Sequence, residues 1–355
     1  MPRIPFADLV VTLTEANLAL GLIGDRAHLC ARIFAESSRD GVQSHGLNRF
    51  PRFAATVHNG SVDVNATPEL ITAAGSGGAA IAIERWHGHL GVGPLNAHIS
   101  MERAIALARQ HGIGAVALAF TNHWMRGGTY GWQAADQGLF AICWTNTGRN
   151  LPAWGTTAAT LGNNPLVLAI PRLNPGRTHA GAPHVVLDTA MSQFSYGQLS
   201  MYARRGEQLP VPGGYDANGN LTRDPAAIEQ TFRALPIGFW KGSGLALTLD
   251  LFAAALSGGN ATHQISADPL RESALSQFFL AIDPTLLGPA SESGAASEVD
   301  RIANGLLEAL HRAPPTDPAK PPRYPGEETF RLRHENLRLG VPVDEDIWNE
   351  VKALR

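Results

Sequence analysis

The chain has 355 residues, 28 Lys and Arg against 31 Asp and Glu, a formal net charge of −3 and 44% apolar residues. It therefore lacks the basic field that holds a nucleic-acid backbone, which excludes that partner class from the expectations. Cys30 and Cys143, the two cysteines, cannot staple a chain this size and read as reduced thiols of a cytoplasmic protein. The longest strongly apolar stretch, Gly244 to Leu256, holds Asp250 and falls well short of the roughly 20 residues that a spanning helix needs. The opening MPRIPFADLVV is too short an apolar run for a signal peptide, so a soluble protein with no membrane partner is expected.

Residues 14–38 show apolar spacings of three and four and predict helices, with Thr14 and Asp25 as their caps. Gly41 breaks the pattern. The stretch 42–60 resumes it with Pro51 as a start or kink and Asn59-Gly60 as a stop. Strands are expected at LITAA (70–74) and GAAIAIE (78–84). An amphipathic helix over 93–111 and a strand at GAVALAF (114–120) follow. Further strands are expected at LFAICWT (139–145), PLVLAIP (165–171), HVVLDTA (184–190) and SQFFLAID (276–283). Helices are expected at 194–206, at 243–256, at 298–312 and from Asp344 onward. The proline-rich run 313–325 reads as a linker or arm. Helices at both ends and mixed elements between them predict an α/β (mixed α+β) fold with one large mixed sheet. The expected division is a helical domain from 1–72 with 300–355 and a mixed-sheet domain over 73–299.

The common nucleotide signatures are missing. The nearest dinucleotide match, Gly112 to Ala117, follows a helix and precedes a strand, the reverse of the order that aims a helix N-terminus at a pyrophosphate. There is no Walker A run and no GxSxG elbow. His87 and His89 form an HxH pair without a third ligand nearby in sequence, so no metal is expected.

Ser44-His45-Gly46-Leu47-Asn48-Arg49 is richer. On helical spacing His45 and Arg49 share one face, as do Ser44 and Asn48. A histidine shuttles protons near neutral pH, and an arginine grips a carboxylate with two parallel hydrogen bonds. The pair is half of a site for reducing a 2-oxo acid; its bland alternative is a polar surface helix. The run from Asn122 to Tyr130 follows a buried strand and offers His123, Trp124, Arg126 and Thr129 as hydrogen-bond donors. Asp188 ends a strand, where it is either a cap or the acid that orients His45 and keeps it protonated. Lys241-Gly242-Ser243-Gly244 opens an apolar helix as an anion seat or a plain Ser243 cap.

These segments together resemble the malate/L-lactate dehydrogenase-like family, which lacks a Rossmann fold. The resemblance is carried by SHGLNRFPRF (44–53), NHWMRGGTYGWQAA (122–135), LGNNPL (161–166), LDTAMSQFSYG (187–197), QLPVPGGYDANGNLTRDP (208–225), GFWKGSGLALTLDL (238–251) and HENLRLGVPVDEDIW (334–348). It implies a homodimer with a non-Rossmann cofactor fold. It implies that His45 is the proton donor; the residues themselves are read as putting Arg49 and Asp188 beside it and Ser44, Arg49, His123, Trp124, Arg126 and Thr129 around the substrate. It implies cofactor contacts from His184, Val185, Val186, Leu187, Asp188, Thr189 and Ala190, from Trp240 and Lys241, and from Gly326, Glu327 and Glu328. The last of these segments reads Gly-His-Glu in relatives. An acid at position 327 disfavours a 2′-phosphate, so NADH is expected and NADPH is the alternative. The connection 172–184 is longer than in relatives, which weakens the contact expected of His184.

The expected activity is hydride addition to a sugar-derived 2-oxo acid, 2,3-diketo-L-gulonate going to 3-keto-L-gulonate. Reduction of a cyclic ketimine and a malate- or lactate-type dehydrogenation are the alternatives within the resemblance. A non-catalytic sugar-acid-binding protein is the alternative outside enzymes.

Overall fold

The computed structural model describes residues 1–71, 81–172, 183–287 and 294–355. All but the first two residues of the strand expected at 70–74, the start of the one at 78–84, the 72/73 boundary and most of the long connection 172–184 lie outside them.

Seven strands form one mixed sheet: β1 (Glu69–Leu70), β2 (Ile83–His87), β3 (Ile113–Thr121), β4 (Phe140–Thr145), β5 (Leu166–Ile170), β6 (Val185–Thr189) and β7 (Leu275–Ile282). Their spatial order is β1-β2-β3-β7-β4-β5-β6. Only β2 and β3 run parallel; every other neighbouring pair is antiparallel. The sole parallel step is the one that needs a crossover, and the chain supplies it as a helix between β3 and its predecessor.

The helices, in chain order, are α1 (Phe6–Ala19), α2 (Gly24–Arg39), α3 (Phe50–His58), α4 (Gly93–His111), α5 (Gly128–Ala135), α6 (Tyr196–Arg205), α7 (Pro225–Thr231), α8 (Trp240–Ser257), α9 (Gly294–Arg312), α10 (Glu327–Leu339) and α11 (Glu345–Lys352). Residues of α4 and α5 share one core with the sheet, built from Met101, Leu118, Tyr130 and Phe279 among others. Residues of α8 share a second core with other sheet residues, including Ala246, Leu249, Trp144 and Phe278. The chain ends meet in a third, where Leu9 and Leu13 join Phe34, Phe50, Val341 and Val351. A short antiparallel pairing of Arg3–Ile4 with Val341–Pro342 ties the ends further.

Local chemistry explains most of the boundaries, and corrects some. Asp344 caps α11 by accepting from the Asp346 and Ile347 N–H groups. Gly112 ends α4 in the left-handed region at φ 81° and passes straight into β3, so this glycine run is a helix stop. Thr14 and Asp25 cap nothing: Thr14 lies within α1 and bonds back to the Val10 carbonyl, and Asp25 lies within the first turn of α2. Ser243 likewise lies inside α8, where its Oγ accepts from the Trp154 N–H. Helices α5 and α10 were not expected from the sequence.

Candidate active site

The segment carrying His45 is not a continuous helix. Two short 3₁₀ turns, Gln43–His45 and Leu47–Arg49, flank Gly46, whose φ −104° and ψ −132° break the helical run before α3 begins. The glycine is required by contact. A Cβ there would stand 2.2 Å from Ser38 Oγ and 2.7 Å from the Ser38 nitrogen. Ser38 Oγ instead accepts the Leu47 N–H at 2.7 Å, and Gln43 Nε2 donates to the Pro342 carbonyl at 2.9 Å. Both ends of the chain therefore hold the turn that presents His45.

The His45 ring stacks over His123, with centroids 5.8 Å apart and planes 15° apart. Its hydrogen bond is between Nδ1 and Ser44 Oγ, at 3.0 Å. Burial, with the cations Arg49 and Arg126, pulls His45 down to about 3. His123 is likewise held well below the ordinary histidine value, by burial first and then by Arg49, His45 and Arg52. His123 Nδ1 accepts the Met125 N–H at 3.1 Å, which leaves the proton on Nε2. Both rings are therefore neutral at neutral pH, and the expectation of a standing His45 cation is corrected.

Arg49 completes this group. Its guanidinium makes no hydrogen bond or ion pair with any described residue, whereas Arg126 and Arg333 are both tied to Asp40. Burial and Arg52 lower Arg49 to about 10, with Glu272 opposing. It lines a narrow cleft with Arg52, Gly93, His123, Met125 and Glu272. Gly93 opens α4 here, and a Cβ on it would meet the His123 and Asn122 carbonyls at 2.2 and 2.5 Å. The N-terminal end of a 19-residue helix thus abuts the same cleft.

Behind the cleft lies an ion cluster that the sequence did not reveal. Asp40 accepts from Arg126 Nη1 at 2.7 Å, from Arg333 Nε and Nη2 at 2.9 and 2.7 Å, and from Arg39 Nε at 2.8 Å. Burial opposes the charge, but the three arginines win and hold the carboxyl well below its ordinary range. Arg333 also lies over the Trp132 ring, 4.2 Å from its centroid. The cluster joins the end of α2, the loop after β3 and α10.

Several expected roles change. Trp124 is 1% exposed and packs against Tyr130 and Phe279, so its ring belongs to the core. The Tyr130 hydroxyl donates to the Trp124 carbonyl at 2.6 Å, and Asn122 Nδ2 donates to carbonyls of Ser61, Leu90 and Gly91. One Arg126 nitrogen is spent on Asp40. Of the donors counted in the 122–130 loop, His123 Nε2, the Trp124 indole N–H, two Arg126 nitrogens and the Thr129 hydroxyl make no hydrogen bond among the described residues. Ser44 turns its hydroxyl to His45, and Asp188 accepts the Gly128 N–H at 2.7 Å. No hydrogen bond joins Asp188 to His45, so the orienting bond falls to Ser44.

The candidate cofactor residues do converge. The Val186 N–H donates to the Pro325 carbonyl at 3.0 Å, and a Cβ on Gly326 would stand 2.9 Å from the His184 carbonyl. Beyond the end of β6 the Ile237 N–H bonds the Met191 carbonyl at 2.9 Å, three residues before Trp240 and four before Lys241. β6 is the sheet edge. With Val186 facing outward, alternation places the backbone groups of Asp188 on the free edge as well. A cavity of about 580 Å³ opens beside its start, lined by Arg172, Tyr324, Glu327, Phe330 and Arg331 among others. Its size is within the usual range for small-molecule sites. His87 and His89 stack 4.1 Å apart beside Glu69, and no metal-holding group of His, Cys, Asp and Glu occurs among the described residues. No described helix is long and apolar enough to cross a membrane.

The profile of the malate/L-lactate dehydrogenase family matches residues 4–352. Among curated relatives, 2,3-diketo-L-gulonate reductase of Citrobacter koseri is 41% identical, covering 99% of this chain and all of its own. The protein of that name from Klebsiella pneumoniae is 40% identical with the same coverage. Among solved structures, malate dehydrogenase of Entamoeba histolytica superposes with a TM-score of 0.88 at 20% identity, covering 99% of this chain and 97% of its own. Delta1-piperideine-2-carboxylate reductase of Pseudomonas syringae pvar. tomato gives 0.84 at 24% identity with complete coverage of both chains. Those two likenesses carry the fold, and the profile and the curated relatives carry the descent: the chain belongs to the malate/L-lactate dehydrogenase family of oxidoreductases.

Proposed function

We propose that this protein reduces the 2-oxo group of a sugar-derived acid, 2,3-diketo-L-gulonate to 3-keto-L-gulonate, with NADH as reductant and His45 as proton donor. The observation that carries the reading is Arg49: a largely enclosed guanidinium with no hydrogen bond or ion pair among the described residues, set beside two neutral histidines. A cation whose nearest acid, Glu272, shares the cleft without bonding it is suited to receive a carboxylate. The relatives' printed names supply the sugar acid.

The residues at β6 fit a nicotinamide cofactor. An open sheet edge offers main-chain donors and acceptors at Asp188, and His184 to Ala190 runs from beside the 580 Å³ cavity to Met191, whose carbonyl takes the Ile237 N–H a few residues before Trp240 and Lys241. When bound there, the cofactor supplies the hydride. Gly326, Glu327 and Glu328 would hold its other end. Arg331 is spent on Glu328 and Glu335, Arg323 on Glu328, and Arg172 on Asn304, Tyr324 and a carbonyl. Arg331 and Arg323 are neutralised by acids and Glu327 on the wall repels a 2′-phosphate, which favours NADH over NADPH; Arg172, whose partners are neutral, is the cation that the NADPH alternative would use.

The protein's own work is then positional and acidic. Arg49 takes the substrate carboxylate. Neutralising Arg49 removes one of the two cations that depress His45, so the ring takes a proton from solvent as substrate binds. Ser44 holds Nδ1, and the cationic ring delivers a proton to the carbonyl oxygen as it becomes an alkoxide; acid catalysis of this kind is worth about a hundred- to ten-thousand-fold. His123, which lines the cleft, and Thr129 are proposed to take the substrate hydroxyls. The working unit is proposed to be a cytoplasmic homodimer, in keeping with two buried free thiols.

The test is steady-state reduction followed at the NADH absorbance. We expect higher kcat/KM for 2,3-diketo-L-gulonate than for pyruvate, oxaloacetate or piperideine-2-carboxylate. His45→Ala should lose at least a hundredfold in kcat with NADH affinity kept. Equal or better turnover of the cyclic imino acid would replace the sugar-acid reading with a ketimine reductase. No turnover of any 2-oxo acid, with binding alone, would replace it with a sugar-acid-binding protein.

A further inference from the structure

Glu272 is the only acid among the described residues that line the Arg49 cleft, which it shares with Arg52, Asn122 and His123. It is half-buried, and both sides of its seat are fixed. Glu272 Oε1 accepts the Gly148 N–H at 2.8 Å, while Oε2 makes no hydrogen bond or ion pair among the described residues. Gly148 is held through its neighbour: the Thr147 N–H donates to Asn164 Oδ1 at 3.0 Å, and the Thr147 carbonyl accepts from Thr262 Oγ1 at 3.0 Å, all three residues being buried. The loop before Glu272 is held from the side of α3, where Arg52 Nη2 donates to the Pro269 carbonyl and Asn59 Nδ2 to the Leu270 carbonyl at 2.7 Å. A carboxylate anchored by one oxygen, with the other open, is an acceptor whose position is set before a ligand arrives.

The charges lining the cleft add to +1, Arg49 and Arg52 against Glu272, with His123 neutral. One substrate carboxylate on Arg49 cancels that charge. A second would leave an uncompensated anion in a narrow cleft, beside an acceptor-only group that repels it. Arg52 does not reverse this, because its charge is already in the sum. A hydroxyl stands differently. It is neutral, it donates to Glu272, and its oxygen accepts from the His123 Nε2–H. Hydrogen bonds to a charged acceptor are also the stronger kind.

We propose that Glu272 is a specificity-determining residue: it reads the substrate beyond C2, accepting a hydroxyl on the tail and refusing a second carboxylate. The inference deepens the proposed function and rests on Arg49 as the seat of the substrate carboxylate. It does not require the acid to be 2,3-diketo-L-gulonate. The rival role for Glu272 is a plain counter-ion to the two arginines, which would touch all 2-oxo acids alike.

The test uses 2-oxobutanoate, 4-hydroxy-2-oxobutanoate and oxaloacetate, which share one carbon chain and differ at C4 alone: a methyl, a hydroxymethyl and a carboxylate. Their kcat/KM values with NADH are compared in wild type and Glu272→Gln. In wild type the hydroxylated acid should exceed 2-oxobutanoate by about tenfold or more, and oxaloacetate should fall below both. Glutamine keeps the shape and the acceptor for Gly148 but takes the cleft to +2. Relative to 2-oxobutanoate, oxaloacetate should then gain about tenfold or more, and the hydroxylated acid should lose most of its advantage. A wild type that does not rank the three acids in that order would overturn the proposal. So would ratios that stay within about twofold in Glu272→Gln, a result that assigns the counter-ion role. If Glu272→Gln does not fold, the wild-type order alone decides. The expected order together with poor turnover of 2,3-diketo-L-gulonate would remove the sugar acid and leave Glu272 in its role. An Arg49→Met variant that loses NADH instead of substrate would overturn both.

Discussion

Substrate binding should carry a proton with it, and the size of the effect follows from the site. In the empty protein burial, Arg49 and Arg126 hold His45 at about 3. At pH 7 its cation is then about four pH units out of reach, which corresponds to roughly 5 kcal/mol. A carboxylate about 4 Å from the ring, at an effective dielectric of about 20, returns about 4 kcal/mol. Binding should therefore lift His45 to about 6. Two measurements check this. The logarithm of kcat/KM, which reports the free enzyme, should fall by about one per pH unit from pH 5 to 8. Calorimetry of a substrate-analogue carboxylate at pH 5.5, in buffers of different ionisation enthalpy, should show uptake of most of one proton in wild type and almost none in His45→Ala. The sign is fixed by the direction of the shift: a proton taken up on binding makes binding tighter as pH falls. A kcat/KM flat between pH 5 and 8, with no proton uptake, would refute the argument and leave a neutral His45 as a hydrogen-bond donor only.

Other variants separate holding from chemistry. Arg49→Met should lower kcat/KM while leaving the NADH dissociation constant in place; the reverse pattern would make Arg49 a cofactor residue. Gly46→Ala forces a Cβ onto the Ser38 backbone and should cost about 1–3 kcal/mol in urea denaturation, so an unchanged midpoint would show that the turn adapts freely. Asp40→Asn strands the Arg126 and Arg333 charges and should cost about 3–5 kcal/mol, read by the same titration.

The central strands were legible because each is a short apolar run that the sheet buries, as at Val116, Leu118, Cys143 and Phe279, whereas the edge strand Glu69–Leu70 is exposed at both residues. Helix α10 was not, because EETFRLRHENLRL is dominated by charge and owes its place to Arg333 and Asn336 reaching α2. Those partners lie almost 300 residues away, and no window of spacing can connect them. Helix α5 hid behind its glycines. Gly131 is there because a Cβ would stand 2.8 Å from Val167, a reason that exists only in the folded sheet. The site was half visible. The Ser44–Arg49 cluster has the right chemistry, but helical spacing missed the break at Gly46 that actually presents the ring. The donor-rich loop misled in the other direction, since residue type does not say which donors the protein keeps for itself. The Tyr130 hydroxyl and the Asn122 amide are spent on the scaffold, whereas the Trp124 ring packs in the core with its indole N–H making no hydrogen bond among the described residues.

Ser44 is where these two kinds of role divide. Its hydroxyl is the only hydrogen-bond partner of the His45 ring among the described residues, and it sits against Gly197, where a Cβ would come within 2.8 Å of Ser44 Oγ. It has little room to turn away toward a substrate. A hydroxyl suits both charge states of the ring, because it donates to Nδ1 of the neutral form or accepts from N–H of the cation. Ser44→Ala leaves Nδ1 without its partner, at about 1–3 kcal/mol, and the loss falls most heavily on the cation. The expected result is a kcat reduced about ten- to a hundredfold, a substrate KM within a few-fold of wild type and an unchanged NADH dissociation constant. The fall of kcat with pH should also begin at lower pH, since the protonated ring has lost an acceptor. Ser44→Thr, which keeps the hydroxyl, should recover most of the rate if its extra methyl fits beside Gly197. If Ser44→Ala instead raises KM strongly at constant kcat and leaves the pH profile where it was, Ser44 binds substrate and the positioning role is wrong.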